Sequence, residues 1–147
     1  GVAARAAGLV RDVRFDHPAG WHRFAQVPVS TWPDGDVFAR ARVRCLEVQR
    51  AGKFLEEQLA QPPEGEMFAA AGEPAGDTLA VSLVEGWRGE ICHVALTDAA
   101  GKFRRYKIVD PSFHNWTWLA LALRRQAVSD FPICNKSFSL SYCGFDL

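Results

Sequence analysis

This sequence lacks the local patterns that usually mark a self-contained active site. Its four cysteines, Cys45, Cys92, Cys134 and Cys143, include no Cys-x-x-Cys pair, so the common zinc and iron–sulfur spacings are missing. No glycine-rich phosphate loop, dinucleotide fingerprint, Gly-x-Ser-x-Gly elbow or His-Glu-x-x-His helix occurs. An excess of one charge is missing too, since 17 lysines and arginines balance 17 aspartates and glutamates. Proteins that bind nucleic acid or anionic membranes usually carry a basic excess, so neither is expected as the main partner. No apolar run approaches the ~20 residues that cross a bilayer. The irregular cysteine spacing favours reduced thiols over a disulfide framework.

What is present is an ordinary globular composition, 48% hydrophobic and 23% charged over 147 residues. A single domain of that length buries roughly 70% of its unfolded-chain surface. Five tryptophans are many for the length, and tryptophan is enriched at interfaces, so some are expected to face a partner.

Residues 1–33 are broken by Gly8, Pro18, Gly20, Pro28 and Pro33 and read as irregular, with "RDVRFDHP" as short strand or loop. A helix is predicted from about 37 to 60, capped by Asp34 or Asp36. Its apolar stripe is Val37, Ala41, Val48, Ala51, Leu55 and Leu59, and the prolines after it stop it. Residues 78–109 change to period two and predict an antiparallel meander of three strands. "EGWRGE" and "DAAGK" supply the reversals. The segment "DPSFHNW" at 110–116 then feeds a helix capped by Ser112 or Asn115, with Trp116, Leu119, Ala120 and Leu123 facing inward. A last short helix is predicted near 128–138, with Asp130 as cap and Pro132 in its first turn. The fold class is α+β: one long helix, a small three-stranded antiparallel sheet and C-terminal helices.

Candidate chemistry is sparse. Cys92 and His93 are adjacent, so on a strand they point to opposite faces and make a poor nucleophile–base pair. His17, His22 and His114 have no neighbouring metal-ligating residues in sequence and read as structural. Arg40, Arg42, Arg44 and Arg50 form a basic helix face. Arg40 and Arg44, four residues apart, are nearest the apolar stripe.

The order of motifs says more than any one of them. "GVAARAAGLVRDVR", "GDVFARARVRCLEV", "EGWRGE", "YKIVDPSFHNW" and a terminal "GFDL" follow one another. This series resembles the C-terminal half of the large subunit of energy-converting nickel–iron hydrogenases. It is similar too to the hydrogenase-type, quinone-site subunit of respiratory complex I. The resemblance implies that 1–147 is one C-terminal domain of a longer chain with a hydrogenase large-subunit-like fold. It singles out Asp36, Arg40 and Arg44 from the "GD…R…R" segment, and Glu85, Arg88 and Glu90 from the hairpin. Asp110, Ser112 and His114 come from the Asp-Pro junction, and Asp146 from the terminal "GFDL". All ten are candidate structural or interface residues, and "DPSFHNW" is expected to lock the sheet to the C-terminal helices.

In the family's active hydrogenases a terminal Cys-x-x-Cys supplies two thiolates to nickel and iron. Sliding this tail over that motif sets Ser141 at the first cysteine and Gly144 at the second, with Cys143 one residue out of register. Nickel–iron centres require soft thiolates. The resemblance therefore implies no cofactor in this chain, with iron–sulfur clusters carried by partner subunits. It implies a small iron–sulfur subunit and membrane-arm subunits as partners, and a cytoplasmic position peripheral to the inner membrane. The expected role is support of electron transfer to a quinone-like acceptor, the isolated chain being catalytically silent. A non-catalytic assembly protein on the same scaffold is the alternative. The leading reading predicts an exposed apolar or aromatic patch where missing parts pack.

Overall fold

A computed structural model describes residues 1–25, 27–62, 64–66 and 68–145. Among these residues, five helices and one sheet are built in chain order. They are α1 (Val2–Ala6), α2 (Val13–Asp16), α3 (Val37–Ala60), β1 (Leu79–Glu85), β2 (Glu90–Thr97), β3 (Phe103–Val109), α4 (Pro111–Ala122) and α5 (Phe131–Phe138). Single 3-10 turns lie at Gly20–Arg23, Val128–Asp130 and Cys143–Phe145. The α+β architecture is the one expected.

The 24-residue α3 is the spine. Asp36 caps it, its Oδ1 accepting the Ala39 N–H at 2.7 Å. Gly35, just before, has a positive φ of 69° and donates its N–H to Ala6 O at 2.7 Å. The apolar stripe read from sequence is not the packed face. Ala41, Val48, Leu55 and Leu59 are exposed, and the buried residues are Ala39, Arg40 and Val43. Close approach of α1 and α5 explains the difference. Small side chains at 39 and 43 admit α1, while Arg40 lays its guanidinium on Phe138 of α5, 4.1 Å from the ring centroid.

Residues 1–33 are more regular than expected. The "RDVRF" stretch holds the short helix α2, capped by Asp12, whose Oδ1 accepts the Arg14 N–H at 3.0 Å. Helices of four and five residues are too short to show periodicity, and these are held by tertiary ion pairs rather than by propensity.

The sheet runs β1-β2-β3, antiparallel throughout, with Val81, Val94 and Lys107 in register. Gly86 and Gly89 close the first reversal by exchanging backbone hydrogen bonds at 2.7 and 3.2 Å. Asp98 closes the second, its Oδ1 accepting the Ala100 and Lys102 N–H groups.

Helix α4 starts earlier than the sequence reading placed it. Asp110 is the cap, its Oδ1 accepting the Ser112 N–H at 2.7 Å, with Pro111 in the first turn. Ser112 and Asn115 are thereby released for tertiary bonds. Leu119 is buried as expected, with Trp116 and Leu123 beside it. Ala122 takes the inward place given to Ala120, which is exposed. Asp130 and Pro132 open α5 as expected, although the Asp130 carboxylate reaches back to the Ala127 N–H. Two small apolar clusters result. One joins Val2, Ala6, Ala39 and Val43; the other joins Leu119, Cys134 and Phe138.

Candidate functional site

The end of α5 is where three distant basic residues converge. The last carbonyls of a helix have no intrahelical donor and carry partial negative charge. Arg40 donates from Nε to the Ser137 hydroxyl at 2.8 Å, and Arg44 donates to Ser137 O at 2.5 Å and Phe138 O at 3.2 Å. Arg88, from the β1–β2 reversal, donates from Nε to Ser139 O. Ser139 itself is left-handed, with φ 56°. Arg44 also stacks over Trp87, 5.3 Å from the ring centroid. Burial pushes the Arg44 guanidinium below its ordinary pKa, and Arg40 and Arg88 push the same way. Arg40 is lowered by burial as well, against the opposing pull of Cys134 and Asp36.

A second assembly is ionic and deeply buried. Arg5 Nη1 lies 2.5 Å from Asp12 Oδ2 and 3.1 Å from Glu47 Oε1, and its Nη2 lies 3.5 Å from Glu85 Oε1. Arg14 Nη2 bridges Asp12 and Glu47, each at 2.6 Å. The side chains of Arg5, Asp12 and Glu85 are 3%, 1% and 4% exposed. Burial alone would raise the Asp12 carboxyl, but the Arg14 hydrogen bond and the charges of Arg5 and Arg14 outweigh it and hold it low. Arg14 is raised, by the Asp12 hydrogen bond first and by Glu47, against the pull of burial. Glu85 Oε2 also accepts the Val13 N–H at 3.1 Å. The network thus ties α1, α2, α3 and β1 together.

The third assembly is the "DPSFHNW" junction. The Ser112 hydroxyl, fully buried, accepts the Ser141 N–H at 3.0 Å. Trp116 Nε1 donates to Ser141 O at 3.4 Å, and Asn115 donates to Arg88 O at 2.9 Å. The Ser141 hydroxyl accepts the Gly144 N–H at 3.1 Å. A Cβ placed on Gly144 would stand 2.5 Å from the Asp110 carboxyl carbon. The segment does join sheet, helix and C-terminal tail.

Between α1, the sheet and α4 lies a cleft of about 650 Å³. It brings together Arg40, Arg88, Glu90 and His114 of the ten candidates, under walls that include Trp118 and Leu121. The other candidates separate. Asp36, Asp110 and Ser112 act as caps and anchors, Arg44 grips α5, and Glu85 belongs to the Arg5 network. Glu90 also pairs loosely with Arg11 at 3.9 Å. Asp146 lies outside the described residues. Sequence reading missed Arg5, Asp12 and Arg14. No local pattern marks Arg5, which is followed by five uncharged residues.

Large apolar and aromatic side chains are exposed, though on several sides and not as the one patch that was expected. Trp21, Trp87 and Trp118 are each about half exposed, and Leu59, Leu79 and Tyr142 more so. The four cysteines are free thiols, and among the described residues no cluster of three metal-ligating side chains forms. Among the described residues, no helix is long and apolar enough to cross a membrane.

Comparison with known proteins gives a consistent result. The family model described as the 49 Kd subunit of respiratory-chain NADH dehydrogenase matches residues 1–75. Hydrogenase-4 component G of Escherichia coli (strain K12) is 29% identical over 97% of this chain and 26% of its own length. Formate hydrogenlyase subunit 5 of the same organism is 29% identical over 97% of this chain and 25% of its own. An NADH-quinone oxidoreductase subunit of Herpetosiphon aurantiacus is 32% identical over 95% of this chain and 40% of its own. The chain therefore spans about a quarter to two fifths of these relatives. Among solved structures, a chain of the membrane-bound sulfane sulfur reductase, an archaeal respiratory membrane complex, superposes over all of this chain and 42% of its own. Its TM-score is 0.89 at 24% identity, which establishes the fold.

Proposed function

The chain belongs to the family of the 49-kDa subunit of respiratory-chain NADH dehydrogenase, and from that premise we propose that it forms the C-terminal part of a large subunit in a membrane-attached redox complex. In this reading it carries no nickel–iron centre. It is a scaffold that helps pass electrons from iron–sulfur clusters in partner subunits to a quinone-like acceptor, on the cytoplasmic side of the inner membrane.

The observation that carries the reading is the uncovered surface. The chain exposes 10,631 Å², whereas a self-sufficient protein of 16.3 kDa exposes about 7,500 Å². Large apolar side chains contribute to it, Leu59, Leu79 and Tyr142 among them, as a part taken from a larger assembly requires.

The absence of nickel is supported by donor chemistry. Where the hydrogenase pattern needs two thiolates, this tail has a serine hydroxyl already engaged by the Gly144 N–H, and a glycine. A hydroxyl is a hard donor, and glycine supplies none. Cys143 is exposed and offers one sulfur where two are required. The residues do not fit the centre. The quinone-like acceptor is supported by the cleft, whose apolar walls and few guanidinium groups suit a lipophilic carbonyl compound.

The test is to purify the natural full-length polypeptide from its membranes in mild detergent, identify what accompanies it and measure nickel and iron. Co-purifying iron–sulfur and membrane subunits, with iron and no nickel, are expected. Stoichiometric nickel would overturn the metal-free assignment. Isolation alone, with neither metal nor partners, would favour the assembly protein instead.

A further inference from the structure

The two edges of the sheet differ sharply in chemistry. Along β1, from Leu79 to Val84, there is no charged residue. Along β3 the run Lys102-Phe103-Arg104-Arg105-Tyr106-Lys107 is exposed throughout. It places four cations on six positions of a chain whose net charge is zero. Among the described residues, none of the four forms an ion pair. Strand order β1-β2-β3 leaves the outer side of β3 open, and no backbone group of 103–109 makes a hydrogen bond beyond its ladder with β2 among the described residues.

Lysines on an edge strand commonly serve only to repel other strands. That explanation would apply equally to β1, whose one charged residue, Glu85, is buried at its end. The cations are also more numerous than repulsion needs. A register shift opposite Leu96 and Thr97 interrupts the alternation at Arg104, so Arg105 and Lys107 share one face of the sheet while Phe103 falls on that of Tyr106. A flat lipid surface would meet one face alone. A strand laid along the edge meets cations on one side and rings on the other. Phe103 and Tyr106, 64% and 51% exposed and in edge contact at 5.5 Å, add an apolar grip beside them.

We propose that the outer edge of β3 receives an extended, acidic segment of a partner polypeptide, added as a fourth strand whose carboxylates meet Lys102, Arg104, Arg105 and Lys107. Backbone hydrogen bonds supply the affinity, and the cations select an acidic sequence and orient it. This deepens the complex-subunit reading above and rests on it.

Carbodiimide coupling of the intact, detergent-purified complex tests the proposal, because it joins a lysine amine only to a carboxylate in contact with it. The expected products link Lys102 or Lys107 to aspartates or glutamates of one stretch in another polypeptide, and the amides of 103–109 exchange slowly in the complex. The double variant R105E/K107E should weaken retention of that polypeptide at least tenfold at fixed salt. Reversing the cross-linked carboxylates to lysine should restore it. Free acetylation of both lysines in the intact complex would overturn the proposal. So would cross-links only to this chain's own glutamates, or protection that vanishes on delipidation, which would mark a lipid headgroup. Purification of the chain without partners would instead sink the complex reading itself. Partners present with open lysines would sink only the docking edge.

Discussion

Replacing Arg5 by methionine is the sharpest test of how this fold is held. Its guanidinium reaches Asp12, Glu47 and Glu85 at 2.5, 3.1 and 3.5 Å, with 3% of the side chain exposed. Methionine fills similar volume but leaves Asp12 and Glu85 buried with one cation fewer. Breaking a buried ion pair by removing one partner costs about 3–5 kcal/mol. For a chain of this size each kcal/mol lowers the melting temperature by roughly 2–4 °C, so a fall of about 10 °C is expected. Differential scanning calorimetry of the full-length polypeptide at pH 7 reads it directly. The pH dependence supplies a second readout. The folded-state pKa of Asp12 is depressed, so its stabilisation is present above the unfolded value of about 3.9. That contribution is lost as pH falls through the lower folded value. Without Arg5 the folded value rises, so the variant loses stability at higher pH on the acid side, and its deficit relative to the parent shrinks below about pH 4. A variant within about 1 kcal/mol of the parent at pH 7 would refute the network as a structural anchor. A deficit constant from pH 7 to pH 3 would refute the charge argument even if stability fell.

Arg44→Lys keeps the charge but loses the fork that reaches Ser137 O and Phe138 O. It should cost about 1–3 kcal/mol and speed amide exchange in the last turn of α5. Ser112→Ala removes the buried acceptor of the Ser141 N–H, at about 1–2 kcal/mol. Limited proteolysis should then cut first near residue 141. Gly89→Ala is expected to destabilise by about 1–3 kcal/mol, since φ is 140° and the new Cβ would sit 3.1 Å from Pro111 Cβ. Gly52→Ala, in the interior of α3 with open space around it, should stabilise by about 0.5–1 kcal/mol. Thermal melts of the two glycine variants should move in opposite directions.

The parts of the fold legible in sequence were those set by local rules. The pair of candidate caps Asp34 and Asp36, of which Asp36 is the one used, the proline stop and period-two alternation located α3 and the meander almost to the residue. Asp110 was a harder case. Its carboxylate caps α4 because Pro111 can occupy the first turn, and the two hydroxyl or amide residues that looked like caps are spent on Ser141 and Arg88. The face of α3 was misread because amphipathicity locates apolar residues, not the neighbours that cover them. Val48, Leu55 and Leu59 are apolar and uncovered, while Arg40 is buried against an aromatic ring. The Arg5 network was invisible for a related reason. It joins residues 5, 12, 14, 47 and 85, and no local pattern encodes a contact between segments that far apart. The motif order carried Arg40, Arg88, Glu90 and His114, which do share one cleft, but it gave no hint that Arg44 and Glu85 serve different assemblies.

The uncovered surface also constrains what can cover it. Against the ~7,500 Å² expected of a self-contained protein, the excess is about 3,000 Å²; counted over both partners that is roughly 6,000 Å², at the upper end of obligate interfaces. It does not lie on one side. Leu55 and Leu59 stand on the far half of α3, Leu79 and Val81 on the sheet edge, and Trp118 and Leu121 on α4. A single flat partner cannot reach all three. Coverage requires either several polypeptides or one long chain that wraps the domain. Among the described residues only eight apolar ones are buried, most of them in two small clusters, and a core that small gives weak registration to elements brought together from residues 2 to 138. The buried arginine bonds at α5 and in the Arg5 network are directional where apolar packing is not. They let the domain hold its shape with so much apolar surface still turned outward.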